Sequence, residues 1–234
     1  MEDITFLIKT FERPKHLNKL IESILEFYPE VPIIVVDDSK VPVIRKDVEY
    51  HTMPYDSGVV AGRNLLMKKC KTKYFSLLDD DFVFTEETKI EILLDILKRN
   101  KLDIMAGGVR ESGNLIDYYG TLEREDDTVY YRRDVIDKGE YSKADIVPFF
   151  FVGTGDLKGD PYFKTTEHFD FFYSLKGKKE IGFTKEVIVN HERESFPSGE
   201  KYRHKRWDRR KEFLTYMLEK HNIKKLVSFN ETVT

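Results

Sequence analysis

The chain carries three consecutive aspartates, Asp79, Asp80 and Asp81, directly after the apolar run from Tyr74 to Leu78. Carboxylates that point at one spot repel one another unless a cation lies between them. Oxygen ligands of this kind at the end of a strand suit Mg²⁺ or Mn²⁺ bridging the phosphates of a substrate. The other interpretation is a solvated acidic turn in which aspartates cap the following helix. The triplet alone allows both.

A second acidic pair, Asp37 and Asp38, ends the apolar run from Val31 to Val36. Taken alone, the pair is also compatible with an Asx-type turn. Two acidic strand ends favour a binding site over coincidence if both strands belong to one parallel sheet, because ligands bind outside the carboxyl ends of such strands.

The first half of the chain alternates short apolar runs with segments of helical spacing. We predict strands at 4–9, 31–36, 48–53, 74–78 and 104–109, and helices at 14–27, 58–70 and 86–99. Strands separated by helices, with nearly continuous apolar runs, predict an α/β fold of Rossmann-like type, with a mixed, mostly parallel sheet and helices on both faces. Both acidic strand ends then lie on one rim of the sheet.

The second half changes character. Its patterns predict an antiparallel pair at 115–119 and 128–135, a short helix ending at Leu175, a strand at 187–189 and a terminal helix at 207–221. The aromatic run from Phe149 to Phe151 suits either a sheet core, the favoured interpretation, or stacking against sugar rings. The basic segment 195–205 contains Pro and Gly and is typical of a mobile loop.

Composition sets limits on function. The chain has 234 residues, a formal net charge of −3 and one cysteine, Cys70. This charge gives no general attraction to nucleic acid, and a lone cysteine excludes an internal disulfide framework. No apolar run reaches the length of a membrane span, and the N-terminus lacks a signal-like pattern. We expect a cytoplasmic protein that binds no nucleic acid and has no integral membrane segment.

Six segments together support a family resemblance. They are IKTFERP, FYPEVPIIVVDDS, MPYDSGVVAGRN, KYFSLLDDDFVF, EHFDFFYSLKG and VIVNHER, in that order between Ile8 and Arg193. The chain resembles the GT-A glycosyltransferases of the family 2 type, and more closely the catalytic domain of β-1,4-N-acetylgalactosaminyltransferases of the ganglioside-synthase type. The resemblance implies one GT-A domain over residues 1–234, with a nucleotide-binding half at about 1–110 and an acceptor-binding half at about 111–234.

The resemblance also implies an inverting enzyme that uses a UDP-sugar donor, Mn²⁺ or Mg²⁺, and a glycan or glycolipid acceptor. The residues that it places near the nucleotide are Thr10, Arg13, Asp38, Arg63, Asn64, Asp79 and Asp80. The metal ligands that it implies are Asp79, Asp81 and His191. Without the resemblance, Arg63 is more simply a surface or ion-pair arginine, and a lone histidine is usually not a ligand. We expect Asp38 and Arg63 to lie on the open rim of the sheet.

The remaining candidates concern catalysis. Lys201 and Arg203 lie on the basic segment that we expect to close over the diphosphate, although a solvated basic loop is an equally simple interpretation. An acceptor hydroxyl needs a general base. The resemblance favours Asp170, which precedes paired aromatic residues, and Glu167 lies one helical turn earlier and is the alternative.

Other classes of protein fit less well. A sugar nucleotidyltransferase needs a Gly-rich phosphate loop after its first strand, and Ile8–Pro14 is not such a loop. A phosphatase of the haloacid dehalogenase type carries aspartates at that point, and Ile4–Thr10 contains none. A non-catalytic module that binds carbohydrate or nucleotide-sugar is the remaining alternative from a different class.

Overall fold

A computed structural model describes residues 3–116, 118–192, 209–228 and 232–234. The helices are α1 (Pro14–Phe27), α2 (Val59–Lys69), α3 (Ile90–Asn100), α4 (His168–Leu175) and α5 (Arg210–Lys220). The strands are β1 (Ile4–Thr10), β2 (Ile33–Asp37), β3 (Glu49–Thr52), β4 (Tyr74–Asp79), β5 (Phe82–Val83), β6 (Ile104–Glu111), β7 (Asn114–Ile116), β8 (Thr121–Glu125), β9 (Thr128–Arg132), β10 (Ile136–Asp137), β11 (Ser142–Lys143), β12 (Phe151–Thr154), β13 (Ile181–His191), β14 (Lys225–Val227) and β15 (Thr232–Val233).

The larger sheet has the strand order β10-β11-β13-β6-β12-β4-β1-β2-β3, with β5 and β7 paired at its side. Strand β1 is parallel to β2 on one side and to β4 on the other. The chain therefore reverses its direction of winding between β1 and β4, and the carboxyl ends of these two strands flank a crevice. This is the position where open α/β sheets bind ligands.

The two faces of the sheet bury separate cores. Leu7 belongs to the core covered by α2, α4 and α5, and its neighbours Phe6 and Ile8 belong to the core covered by α1 and α3. Helix α1 contributes Leu17, Leu20, Ile21 and Ile24 at the i, i+3, i+4, i+7 spacing of a buried stripe. Burial of such a side chain contributes about 1.5–3 kcal/mol. The helices thus hold β1 and β4 rigidly beneath the crevice.

The prediction that the segments 115–119 and 128–135 form an antiparallel pair is wrong. Strand β9 pairs with β8, through a two-residue turn whose Asp126 has a left-handed φ of 52°. Of the predicted 115–119 segment, Leu115 and Ile116 lie in β7, which folds back on β6 through Ser112 and Gly113, both with positive φ. Alternating apolar residues identify a strand face but not its partner, and these turn residues decide the pairing.

Other bounds shift by a few residues. Helix α3 begins at Ile90 rather than residue 86, because the Thr88 hydroxyl accepts a hydrogen bond from the Thr85 N–H and forms a separate turn. Strand β13 extends from Ile181 rather than Val187. The start of the predicted terminal helix and the whole predicted basic loop lie outside the described residues. In the described part of the chain, no helix has the length and apolarity needed to span a membrane.

Candidate active site at the switch point of the sheet

The three aspartates after β4 meet the end of β1 at the crevice. The Thr10 hydroxyl donates a hydrogen bond of 2.6 Å to Asp80. The Arg13 guanidinium forms ion pairs with Asp80, at 2.5 Å, and with Asp81. Asp80 is fully buried, and its desolvation raises its pKa, although Arg13 opposes that effect. Thr10 and Arg13 therefore hold the triplet, which is not a freely solvated turn.

Asp81 also meets the far end of β13, which lies three positions from β4 in the strand order of the larger sheet. The pairing of β13 with β5, in which His191 is opposite Phe82, brings the two together. The Nε2 atom of His191 lies 3.3 Å from the Asp81 carboxylate, and its Nδ1 atom lies 3.6 Å from Glu111. Burial by itself raises the pKa of Asp81, but the hydrogen bond from His191 and the charge of Arg13 outweigh burial and hold that pKa well below its usual range. The sequence-predicted pair Asp81 and His191 is thus brought together.

Arg63 connects the triplet to the second half of the chain. Its guanidinium donates to Asp79 at 2.6 Å and to Glu167 at 2.7 Å, and it lies 3.6 Å from the centre of the Phe149 ring. Burial raises the pKa of Asp79 to about 6. The charge of Arg63 opposes this rise, and the charge of Asp81 adds to it. A planar, two-ended donor is required here, and lysine does not provide one.

Asp38 and Arg63 do not lie on the open rim that we expected, since both are buried. The Asp38 carboxylate pairs with the Lys9 ammonium and accepts a hydrogen bond of 2.8 Å from the Gly58 N–H at the start of α2. Gly62 makes this possible, because a Cβ atom there would stand 2.2 Å from the Lys9 side chain. Asp38 therefore fixes the start of α2, and its contact with a nucleotide stays a prediction.

We expect Asp38→Ala to lower the free energy of unfolding by about 3–5 kcal/mol, because it leaves the Lys9 ammonium buried without its partner. Burial already lowers the pKa of Lys9. Urea unfolding measures the change. The double variant Lys9→Met/Asp38→Asn removes the charge and keeps an acceptor for Gly58, and it should cost less. Asp47→Ala, which breaks an exposed ion pair with Arg45, is the matched control. An Asp38→Ala variant as stable as the Asp47→Ala control would contradict this account.

Asn64 follows Arg63 but faces elsewhere. Its side chain donates to the Gly159 carbonyl at 2.9 Å and accepts from the Gly159 N–H at 3.0 Å. This two-way clamp ties α2 to the segment between β12 and α4. Among the hydrogen bonds that the structure gives Asn64, none reaches the aspartate triplet, so its predicted place near the nucleotide stays a prediction.

The two carboxylates considered as the general base differ in their surroundings. Glu167 precedes α4 and is joined to Asp79 through Arg63. Asp170, one turn later, is 1% exposed and contacts Lys220, the last residue of α5, and His221, which directly follows that helix. Between them, His168 bonds the Val147 carbonyl at 2.8 Å, and burial lowers its pKa. The structure links Glu167 to the triplet and links Asp170 to α5.

The donor chemistry around Asp81 fits a hard divalent cation. Asp79 and Asp81 would supply oxygen and His191 would supply nitrogen, and the buried His191 Nδ1 makes no hydrogen bond within the described residues. In that part of the chain, no three His, Cys, Asp or Glu side chains already stand as a metal cluster. Lys201 and Arg203, the predicted diphosphate-binding residues, lie outside the described residues.

Several residues of the site were missed by sequence reasoning. Lys9 has a signal, since it is a charged residue inside an otherwise apolar strand. Phe149 was considered only for the core or for sugar stacking, and it does join the core while packing on Arg63. Glu111 at the end of β6 has no local signal, because only the pairing of β6 with β13 brings it near His191.

Comparison with known proteins identifies the family of the chain. Residues 5–155 match the model of the family described as glycosyl transferase family 2, and the chain belongs to this family. A solved structure, that of S. aureus TarS 1-349, superposes with a TM-score of 0.59 at 13% identity, covering 92% of this chain and 64% of that chain. This likeness confirms the predicted α/β, GT-A-like fold and shows the fold alone.

The relatives in sequence are more specific. Beta-1,4 N-acetylgalactosaminyltransferase 2 of Mus musculus is 36% identical over 201 residues, which are 81% of this chain and 39% of the relative. Beta-1,4 N-acetylgalactosaminyltransferase 1 of Homo sapiens is 35% identical over 205 residues, which are 80% of this chain and 38% of the relative. The predicted resemblance is confirmed. The chain spans about two fifths of the length of these curated relatives.

Proposed function

We propose that this domain transfers a sugar, an N-acetylhexosamine by the likeness to its relatives, from a UDP-sugar to a glycan or glycolipid acceptor with inversion at the anomeric carbon. One observation carries the proposal. Arg63 joins the acidic end of β4 to Glu167 at the switch point of a family 2 domain. A group that binds the donor diphosphate and a group that receives the acceptor's proton are thereby held in one rigid unit.

The donor end needs positive charge. When bound, Mn²⁺ or Mg²⁺ supplies charge that offsets the negative charge developing on the departing diphosphate. Asp79, Asp81 and His191 are the residues that would hold the ion. Arg13 keeps Asp81 ionised, because its guanidinium pairs with that carboxylate. The ordered carboxylates support this assignment, since an ionised, fixed carboxylate loses little freedom when it binds an ion.

The acceptor end needs a base. In an inverting transfer the acceptor oxygen bonds to the anomeric carbon while the bond from that carbon to the UDP oxygen breaks, and the hydroxyl proton passes to a protein base. We assign this part to Glu167, because Arg63 holds its carboxylate in a fixed relation to Asp79. Asp170, which the motif favoured, contacts α5 instead.

A panel assay tests the proposal. The purified chain is incubated with Mn²⁺, with UDP-linked N-acetylgalactosamine, N-acetylglucosamine, galactose or glucose, and with a set of glycans and glycolipids. We expect UDP release that requires an acceptor, with a product heavier by one sugar. Calorimetry with the same nucleotides identifies the alternative, a non-catalytic binding module. Binding of a UDP-sugar without turnover for every combination would replace the proposed transferase with that module.

A further inference from the structure

Asp170 offers an acceptor even less surface than Glu167, whose side chain is 10% exposed. The Asp170 side chain is 2% exposed, and its carboxylate lies 2.7 Å from His221 Nε2 and 2.8 Å from Lys220 Nζ. The second oxygen accepts a further hydrogen bond of 3.0 Å from Lys220. A general base must come within hydrogen-bond reach of the proton that it takes. Both oxygens of Asp170 are instead bound by Lys220 at the end of α5 and by His221 directly after it.

Lys220 extends this contact to a second carboxylate. Its ammonium also lies 3.0 Å from Asp160, which accepts a hydrogen bond of 2.9 Å from the Tyr216 hydroxyl. Burial lowers the pKa of Lys220, but its hydrogen bonds to Asp170 and Asp160 outweigh burial and raise that pKa. The ammonium therefore stays charged between its two partners. Asp160 lies next to Gly159, which Asn64 of α2 clamps.

These contacts form a polar cluster of Asp160, Asp170, Tyr216, Lys220 and His221, which we call the α4–α5 cluster. It meets the site through the first turn of α4. The Phe171 N–H donates to the Glu167 carbonyl at 2.8 Å, so the backbone of Glu167 and the turn that carries Asp170 form one hydrogen-bonded unit. A shift of Asp170 toward or away from α5 must therefore move Glu167 relative to Arg63.

We propose that Asp170 is a positioning residue, which through Lys220 and His221 at the C-terminal end of α5 fixes the start of α4 and so the place of Glu167. This inference rests on the proposed function in one respect, which is that Glu167 acts as the general base of the transfer. The proposal makes α5 necessary for catalysis. In the contacts given above, no residue of α5 touches the aspartate triplet. An error of about 1 Å in the place of a reacting group can cost on the order of 10²-fold in rate.

The first test does not use turnover. Hydrogen–deuterium exchange is measured on the peptide covering residues 165–175 in the full chain, for the parent and for Asp170→Asn, Lys220→Met and Lys220→Arg. The control is Lys224→Met, which breaks an exposed ion pair with Asp127. We expect faster exchange in Asp170→Asn and Lys220→Met, near-parental exchange in Lys220→Arg, and no change in the control. Parental exchange in both Asp170→Asn and Lys220→Met would overturn the inference.

The second test separates positioning from proton transfer. We expect Lys220→Met to lower kcat by up to about 10²-fold. The KM of the donor should stay unchanged, and so should the acid limb of the pH–rate profile, which is the fall in rate at low pH as the base becomes protonated. Lys220→Arg should recover most of the rate. If Asp170→Asn loses the acid limb itself, Asp170 is the base and the inference is wrong. If Asp170→Asn does not fold, the milder Lys220→Met decides. If the parent turns over no donor, the proposed function fails, and the exchange measurement still decides whether α5 holds α4.

Discussion

The Asp81→Asn variant is expected to lose at least about 100-fold in turnover of the UDP-sugar, because an interaction that offsets charge in the transition state is worth about this much in other enzymes. Asparagine keeps the shape of the side chain but removes the charge that Arg13 and His191 stabilise. A divalent cation then loses an ionised ligand. Steady-state rates across a Mn²⁺ titration, with UDP affinity from calorimetry, measure both effects.

The matched control is Asp126→Asn, the same substitution made in the turn between β8 and β9 of the smaller sheet. That variant should keep the parental rate. An excess of chelator should abolish turnover of the parent, and added Mn²⁺ should restore it. Full activity in the chelator, together with a near-parental rate for Asp81→Asn, would remove both the ion and this carboxylate from the mechanism.

The Glu167→Gln variant is expected to lose about 10²–10⁴ in kcat, the range typical for a missing general base. The glutamine carbonyl oxygen can still accept the hydrogen bond from Arg63, so the geometry and the donor KM should persist. The base acts only when it is deprotonated, so the parental rate falls as pH falls through its pKa. The variant should lack this acid limb. Rate measurements across pH with a verified acceptor provide the test.

Glu125→Gln in β8 is the control for this charge change, because its side chain is exposed and belongs to the smaller sheet. It should retain the parental pH profile. A Glu167→Gln variant that transfers sugar at near-parental rate would show that Glu167 is not the base. Asp170 would then return as the candidate, with the test of its acid limb already described.

The sequence predicts the part of the fold that local patterns control. The apolar runs of β1, β2, β4 and β6 lie within about two residues of their predicted bounds, because buried parallel strands need continuous apolar residues. The pairing of the segments 115–119 and 128–135 was predicted wrongly, and β8, which pairs with β9, was not predicted as a strand. Their pairing depends on positive φ at turn residues such as Asp126, and the period of the apolar residues does not encode it.

The site divides in the same way. The acidic ends of β2 and β4 follow from composition and topology, and the contact of His191 with Asp81 agrees with the motif. The burial of Asp38 and Arg63 could not be predicted from the sequence, because the ion-pair partner of each is distant in the chain. Asp38 pairs with Lys9, and Arg63 pairs with Glu167. The role of Asp170 is likewise obscured, because a motif preserves the carboxylate but does not show which helix packs against it.

Strand β12 has a consequence for how the chain reaches its native state. Residues 151–154 form an antiparallel strand between β4 and β6, with Phe151 opposite Leu77 and Ala106. During synthesis, β4 and β6 emerge well before this strand, and until it arrives each keeps an unpaired apolar edge, the kind of surface that promotes aggregation. The contacts that close the gap join residues far apart in sequence, which slows folding. A nascent chain ending before Phe151 therefore lacks the strand that joins β4 to β6, and the sheet of its first half cannot close until part of the second half has been made.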